Sequence, residues 1–228
     1  MKEALTCRSL LSLDKTIAGG LFADLDYPWQ ALPRIADFIR SLGPTLDPAV
    51  FDHPADDVWI AKSAAVYPSA HWQGPLIVDE NAEIRHCAFI RGSAIVGKRA
   101  VVGNSTELKN CVLFDGCQVP HFNYVGDSIL GHKAHLGAGA ITSNVRSDKG
   151  PVRVRGAGIF IETGLRKFGA IVGDGAEVGC NAVLNPGAVV GRGAIVYPTS
   201  CVRGVVPERH IHKNSGEVTA IASHIAEV

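Results

Sequence analysis

The chain has 228 residues, and its 22 Lys and Arg balance its 22 Asp and Glu, so the formal charge is zero. That balance gives no electrostatic case for nucleic acid or an anionic membrane as partner, and no apolar run approaches the roughly 18 residues of a membrane-crossing helix. With 25 Gly, 12 Pro and a single Met, the composition is rich in turns and speaks against a helical bundle.

The first segment, MKEALTCRSLLSLDK, has a short apolar patch cut off by Asp14 and Lys15, so no signal peptide is expected. Further on, Leu32, Ile35, Ile39 and Leu42 form a helical stripe that Gly43 and Pro44 end. Residues 1–55 therefore read as a helical appendage. From Ile60 a step of six meets Val66, Trp72, Val78, Ile84, Ile90, Val96, Val102, Leu108 and Phe114, all apolar. A small residue follows most of them four positions later, as at Ala64, Ala82 and Ala100. The same step resumes at Val172 and passes through Val178, Leu184, Val190, Val196 and Val202.

This pattern resembles the hexapeptide repeat of the left-handed parallel β-helix. Each hexapeptide is a short strand plus a corner, and three make one triangular coil of about 18 residues. The aliphatic side chain fills the prism, and the small one fits the corner, where Gly, Asn and Asp tolerate the turn. The fold class is thus mainly β, a single-stranded left-handed parallel β-helix over 56–207 with about seven coils. Residues 143–169, SNVRSDKGPVRVRGAGIFIETGLRKFG, break the six-step and read as a basic loop or hairpin extruded from the helix. Residues 208–228 read as a tail with a C-terminal helix, since Val218, Ile221, Ile225 and Val228 keep helical spacing. An antiparallel sandwich is the alternative fold. The six cysteines are dispersed and form no CxxC, which fits a reduced, cytoplasmic protein.

Residues 18 apart stack in such a helix. Arg91 and Lys109 are 18 apart, each just after an inward aliphatic, so they are expected to point outward as neighbouring cations. Such a pair suits a phosphate or is merely a solvated surface pair. His121 follows Pro120, which falls at the next inward position of the six-step, and lies 14 residues after Glu107, four short of a full coil, so it is expected beside Glu107 across a corner. A carboxylate that orients an imidazole makes a general base, although surface His–Glu pairs without a function are common.

The stretch GNSTELKNCVLFDGCQVPHFNYVGDSILGHKAHLGAGAITSN resembles the acetyltransferase domain of the bifunctional enzymes that make UDP-N-acetylglucosamine. It is also similar to the archaeal-type sugar-1-phosphate nucleotidylyltransferases with a related C-terminal domain. The shared patterns are ELK, PHFNYVGDS, GAGAITSN and TGLRKFGAIVGD, and the resemblance covers roughly residues 75–206. It implies acetyl-CoA as co-substrate and an amino-sugar 1-phosphate as acceptor. His121 then matches the general base, Glu107 its orienting carboxylate, and Ala138 the backbone N–H that faces the acetyl carbonyl. Arg91 and Lys109 match the cations on the sugar phosphate, and Tyr124 a substrate contact. Asn144 and Lys149 match loop residues that close on the substrate, often from a neighbouring subunit. Cys180, Pro198 and Lys213 fall where the family binds acetyl-CoA. His135 stands where relatives often have Asn and is placed among the substrate contacts. The family builds its pocket between subunits, so a homotrimer is expected.

The segment before the repeats carries no Gly-rich nucleotide loop. Pyrophosphorylase activity is therefore not expected, and a separate nucleotidylyltransferase is a possible partner. A second reading is a non-catalytic module that binds a sugar phosphate or nucleotide sugar. A third is a γ-type carbonic anhydrase, invited by His121, His132 and His135. It lacks the HxxxxH spacing of those enzymes, so no metal is expected.

Overall fold

A computed structural model describes residues 2–156 and 158–222. Its body is the parallel β-helix expected from the repeats. Strands of two to four residues stack in register along three faces. Two seven-residue strands, Glu107–Leu113 and Tyr124–Leu130, run on through a corner from one face to the next. The inward residues form one continuous core along the axis, from Val58 through Ile90, Leu108, Val125 and Leu184 to Val206. Each fully buried aliphatic of this kind contributes about 1.5–3 kcal/mol relative to exposure. The small corner residues Ala82, Ala100, Ala134, Ala176 and Ala194 are all at 0% exposure, which explains their spacing.

Coil length is not uniform. Leu76 pairs with Ala94 a full coil on, but Ala94 pairs with Cys111 and Cys111 with Ser128, each one position short of that step. Ile129 then pairs with Ile171 across the insertion. The first face carries eight such strands, from Val58–Ala61 to Val205–Val206. That is one coil more than the repeats alone suggest, because the stacking starts before Ile60 and runs past Val206 to His210–His212.

Residues 2–50 are not a free appendage. They form short 3-10 turns, the one-turn helix Cys7–Leu10 and the helix Ile35–Leu42, and they lie against the first face. The outward residues of that face, Ile77, Ile95, Val112, Ile129, Ile171 and Val189, are all at 0% exposure. They share a second core with Leu10, Phe22, Trp29, Ile35 and Ile39. Polar anchors fix the docking: Arg192 Nε donates to the Ser9 carbonyl at 2.7 Å, and Ser12 N–H donates to Asp174 Oδ2 at 2.8 Å.

Two expectations are corrected. Val218–Ala220 form a strand antiparallel to His210–His212, not a helix. The apolar spacing there is short enough to serve either period, and an open sheet edge was available to pair with. Ile225 and Val228 lie outside the described residues. The insertion does contain a hairpin, Arg153–Gly156 paired with Ile159–Glu162, but it is not extruded. Val152, Val154 and Phe168 are fully buried in the second core of the same chain, so the hairpin is pinned to its own coils.

Asp79 gives one prediction. It is 1% exposed; its Oδ1 accepts the Glu80 N–H, and its Oδ2 has no partner among the described residues. Burial pushes its carboxyl above the usual range. A folded pKa above the unfolded one costs stability once the group must ionise, so the penalty is absent in acid and grows as pH rises. Asp79→Asn should therefore stabilise the fold at pH 7 by on the order of 1 kcal/mol. The gain should fade towards pH 4. Thermal unfolding of both proteins across that range checks the difference.

Candidate active site

The third face, from His71–Trp72 to Cys201–Val202, and the edge it shares with the second face, from Ala65–Val66 to His210–His212, hold most of the residues singled out in the sequence. Phe89, Glu107, Tyr124 and Ile141 stack outward on successive coils of the third face. Because Ile90 pairs with Leu108, Arg91 and Lys109 follow on adjacent coils as the 18-residue step requires.

The two cations are not free. Arg91 Nη1 donates to Glu107 Oε1 at 2.8 Å. Lys109 Nζ lies 3.1 Å from Asp127 Oδ2. Asp127 is 4% exposed and also accepts from Asn110 Nδ2 at 2.9 Å and from Asn144 Nδ2 at 2.5 Å. Asn144 in turn reaches the Tyr124 hydroxyl at 3.3 Å. Lys109, Tyr124 and Asn144, far apart in the chain, are thus joined through one buried carboxylate. Burial pushes the Tyr124 phenol up, and the charges of Asp127 and Glu107 add to the effect. Tyr124 therefore stays protonated at neutral pH, able to donate as well as accept.

His121 ends the strand Gln118–His121 and pairs with Asn104 on the coil before. Its ring is exposed and makes no hydrogen bond among the described residues. Its backbone is held firmly. His121 N–H donates to Asn123 Oδ1 at 3.1 Å, and its carbonyl accepts from Gly139 N–H at 3.0 Å. Asn123, 2% exposed, uses its amide to bond the Gly137 and Ala140 carbonyls. One buried Asn thus clamps the His121 corner to the GAGA corner. The Ala138 N–H has no backbone partner among the described residues and lies one coil, about 4.8 Å, along the edge from His121. The next corners carry Cys180 and Pro198: Asn181 N–H donates to the Ala138 carbonyl, and Thr199 N–H to the Cys180 carbonyl. His121, Ala138, Cys180 and Pro198 therefore run in line along one edge. Cys180 and Pro198 are exposed. Lys213 lies a coil beyond and pairs with Glu217 at 3.1 Å.

The remaining candidates sit apart from that line or are otherwise engaged. Glu107 is bonded to Arg91, not to the His121 ring. His135, on the second face, shares a 2.7 Å contact with Glu177. Lys149 is exposed in the turn before the hairpin, with a left-handed φ of 58°. His132 points Nδ1 at the Asp115 carbonyl. Among the described residues no group of three His, Cys, Asp or Glu is placed to hold a metal ion. Asp127 and Asn123 were not singled out in the sequence, although both lie inside HFNYVGDS. Their signal was there in principle: polar residues within an otherwise apolar strand segment.

Fold and edge geometry define a hexapeptide-repeat β-helix with a polar cluster on its third face beside a line of exposed corners. Residues 72–163 match the family model described as the GMPPB C-terminal domain. The chain is 31% identical over 169 residues to the bifunctional protein GlmU of Methanococcus vannielii, covering 73% of this chain and 41% of that protein. It is 30% identical over 148 residues to a bifunctional sugar-1-phosphate nucleotidylyltransferase/acetyltransferase of Sulfurisphaera tokodaii, covering 57% of this chain and 37% of that one. The chain thus spans about two fifths of the length of these relatives. Among solved structures, the acetyltransferase domain of PglB from Neisseria gonorrhoeae, in complex with acetyl coenzyme A, matches with 19% identity and a TM-score of 0.36. That match covers 72% of this chain and 57% of the PglB domain. The resemblance read from the motifs is therefore borne out: the chain resembles the bifunctional sugar-1-phosphate nucleotidylyltransferase/acetyltransferases.

Proposed function

We propose that the protein is an acetyl-CoA-dependent N-acetyltransferase for an amino-sugar 1-phosphate such as glucosamine 1-phosphate or galactosamine 1-phosphate. The observation that carries this reading is the edge on which the His121 corner and the Ala138 corner, whose N–H has no backbone partner among the described residues, are adjacent. The Lys109–Asp127–Asn144–Tyr124 cluster lies on the face beside it. His121 takes a proton from the acceptor amine as the amine attacks the thioester carbonyl. The Ala138 N–H meets the oxyanion that develops there. The thiolate of CoA leaves, and the N–acyl bond replaces the S–acyl bond. Acetyl-CoA lies along Ala138, Cys180 and Pro198, with Lys213 towards its phosphates. Arg91 and Lys109 receive the sugar phosphate, and Lys149 adds a third cation from the turn. Arg91 must then share or release Glu107. With the Arg91 charge met by phosphate, the Glu107 carboxylate becomes available to the imidazole.

The experiment is acetyl transfer, read as CoA thiol release, with each amino-sugar 1-phosphate and with the free amino sugars. If free glucosamine reacts as efficiently as its 1-phosphate, the phosphate assignment fails. The Arg91–Glu107 and His135–Glu177 pairs favour a second reading, a binding module that holds a sugar phosphate without turnover. Binding of both phosphates with no thiol release would establish it.

The six free thiols fit a reducing cytoplasm, and no helix among the described residues is long and apolar enough to cross a membrane. We further expect a homotrimer. Residues 2–50 cover the first face, so the second and third faces are left to meet neighbouring copies, and the open polar face gains a wall. Light scattering at micromolar concentration should give about three times the 24.1 kDa chain mass. A monomeric mass would refute the shared pocket.

A further inference from the structure

Beyond Asn144 the third face opens into a cleft of about 320 Å³, at the lower end of the range for small-ligand sites. Its floor includes Ser143, Asn185 and Arg203, and its wall Arg146, Arg153 and Arg155. Ser143 N–H donates to the Leu184 carbonyl, and Asn185 N–H to the Val202 carbonyl, so the three floor residues stand on adjacent coils. The acetyl-transfer reading uses none of these side chains.

The wall is built, not incidental. In the hairpin, Val152 and Val154 are fully buried, and the alternation of the strand turns Arg153 and Arg155 outward. The hairpin backbone comes so close to the coils that only glycine fits beneath it. A Cβ on Gly187 would lie 2.5 Å from the Arg153 carbonyl oxygen, and one on Gly204, where φ is +94°, would overlap the Arg155 carbonyl. The two guanidiniums are therefore carried by a backbone fixed on both sides.

Charge neutralisation inside the cleft is incomplete. Arg146 is paired with Asp148, which also lines the cleft, and Arg153 with Glu162 at 2.9 Å. Arg155 and Arg203 have no carboxylate partner among the described residues. Like charges held at one opening repel unless an anion sits between them, and planar guanidinium forks match phosphoryl oxygens two at a time. An aromatic platform adjoins them. Phe160 is 56% exposed, and the Arg153 guanidinium lies 5.6 Å from its ring centroid. Exposed aromatic surface beside arginines offers stacking for a base as well as charge for phosphates.

We propose that this cleft binds the pyrophosphoryl group of a nucleoside diphosphate, with the base against Phe160. Arg155 and Arg203 take the two phosphoryl groups, Ser143 and Asn185 offer hydrogen bonds from the floor, and Asp148 stays neutralised by Arg146. The site is separate from the Lys109 cluster and from the Ala138–Pro198 edge. It is independent of the acetyl-transfer reading, because binding is read without turnover.

Isothermal titration of the full chain with inorganic pyrophosphate, orthophosphate, UDP and GDP tests it. Pyrophosphate should bind saturably and more tightly than orthophosphate. Arg155→Gln and Arg203→Gln should each weaken it about tenfold or more, as expected for a lost charge-assisted contact. Both side chains are exposed, so both variants should unfold at the wild-type temperature. At least one nucleoside diphosphate should bind more tightly than pyrophosphate and lose that advantage in Phe160→Ala. Three results overturn the proposal: no saturable pyrophosphate binding, unchanged binding in both Arg variants, or competitive displacement of pyrophosphate by CoA. The last would give the cleft to the co-substrate.

Discussion

His121→Ala is expected to lower acetyl transfer by about 10²–10⁴-fold, the usual contribution of a positioned general base. The fold should be almost untouched, because the ring is exposed and bonds to nothing among the described residues. What positions His121 is its backbone, held by Asn123 and by the Gly139 N–H, and alanine keeps both contacts. The variant therefore separates chemistry from structure: kcat falls while the unfolding temperature and the affinity for the sugar phosphate stay near wild type. Steady-state kinetics with thiol detection, beside a thermal melt, gives both readouts. Near-wild-type turnover would remove His121 from the mechanism and favour the binding-module reading.

Asp127→Ala is expected to cost about 3 kcal/mol of stability, at the lower end of what breaking a buried ion pair costs. Lys109, Asn110 and Asn144 all donate to this one carboxylate, so its loss leaves three donors without their acceptor. The backbone adds to the effect. Asp127 has φ +46°, a left-handed conformation that Asp tolerates better than Ala. Substrate affinity should fall as well, since Asn144 and Lys109 lose their common anchor. Denaturant unfolding measures the first effect and KM for the sugar phosphate the second. A loss of less than about 1 kcal/mol would mean that the neighbours repair the hub with water.

The separation of these two effects follows from where the residues sit. His121 sits at a corner held through its own backbone, by the Asn123 side chain and the Gly139 N–H, so its ring is expendable to the fold. Asp127 lies inside the wall of the prism, where a buried carboxylate needs partners and three donors supply them. The same contrast holds at the cleft. The Arg155 side chain can serve a ligand because Val152 and Val154 hold the hairpin down.

By itself the sequence determined the coil. A period of six, aliphatic and small residues in turn, is a statement about what fills a prism and what fits its corners, and both are local requirements. It also placed Arg91 above Lys109, since those two lie where the coil keeps its full length. Covering of the first face was legible in the sequence: its strands read as apolar triplets such as Leu76–Val78 and Ala188–Val190, buried throughout, whereas strands of the other faces, such as Glu83–Ile84 and Glu177–Val178, are pairs with one fully buried residue. A triplet means burial on both sides of the sheet, and residues 2–50 supply the second side. Only the tertiary structure decided the rest. Which carboxylate meets which cation depends on the shortened coils, on Asp127 turning into the wall, and on side-chain torsions that no periodicity fixes. Glu107 therefore turns to Arg91, whose permanent charge at 2.8 Å attracts it more strongly than a neutral imidazole would. The hairpin's resting place was likewise undecidable from its own residues. It rests on Gly187 and Gly204, which lie well beyond it in the chain and come beneath it only when the coils stack.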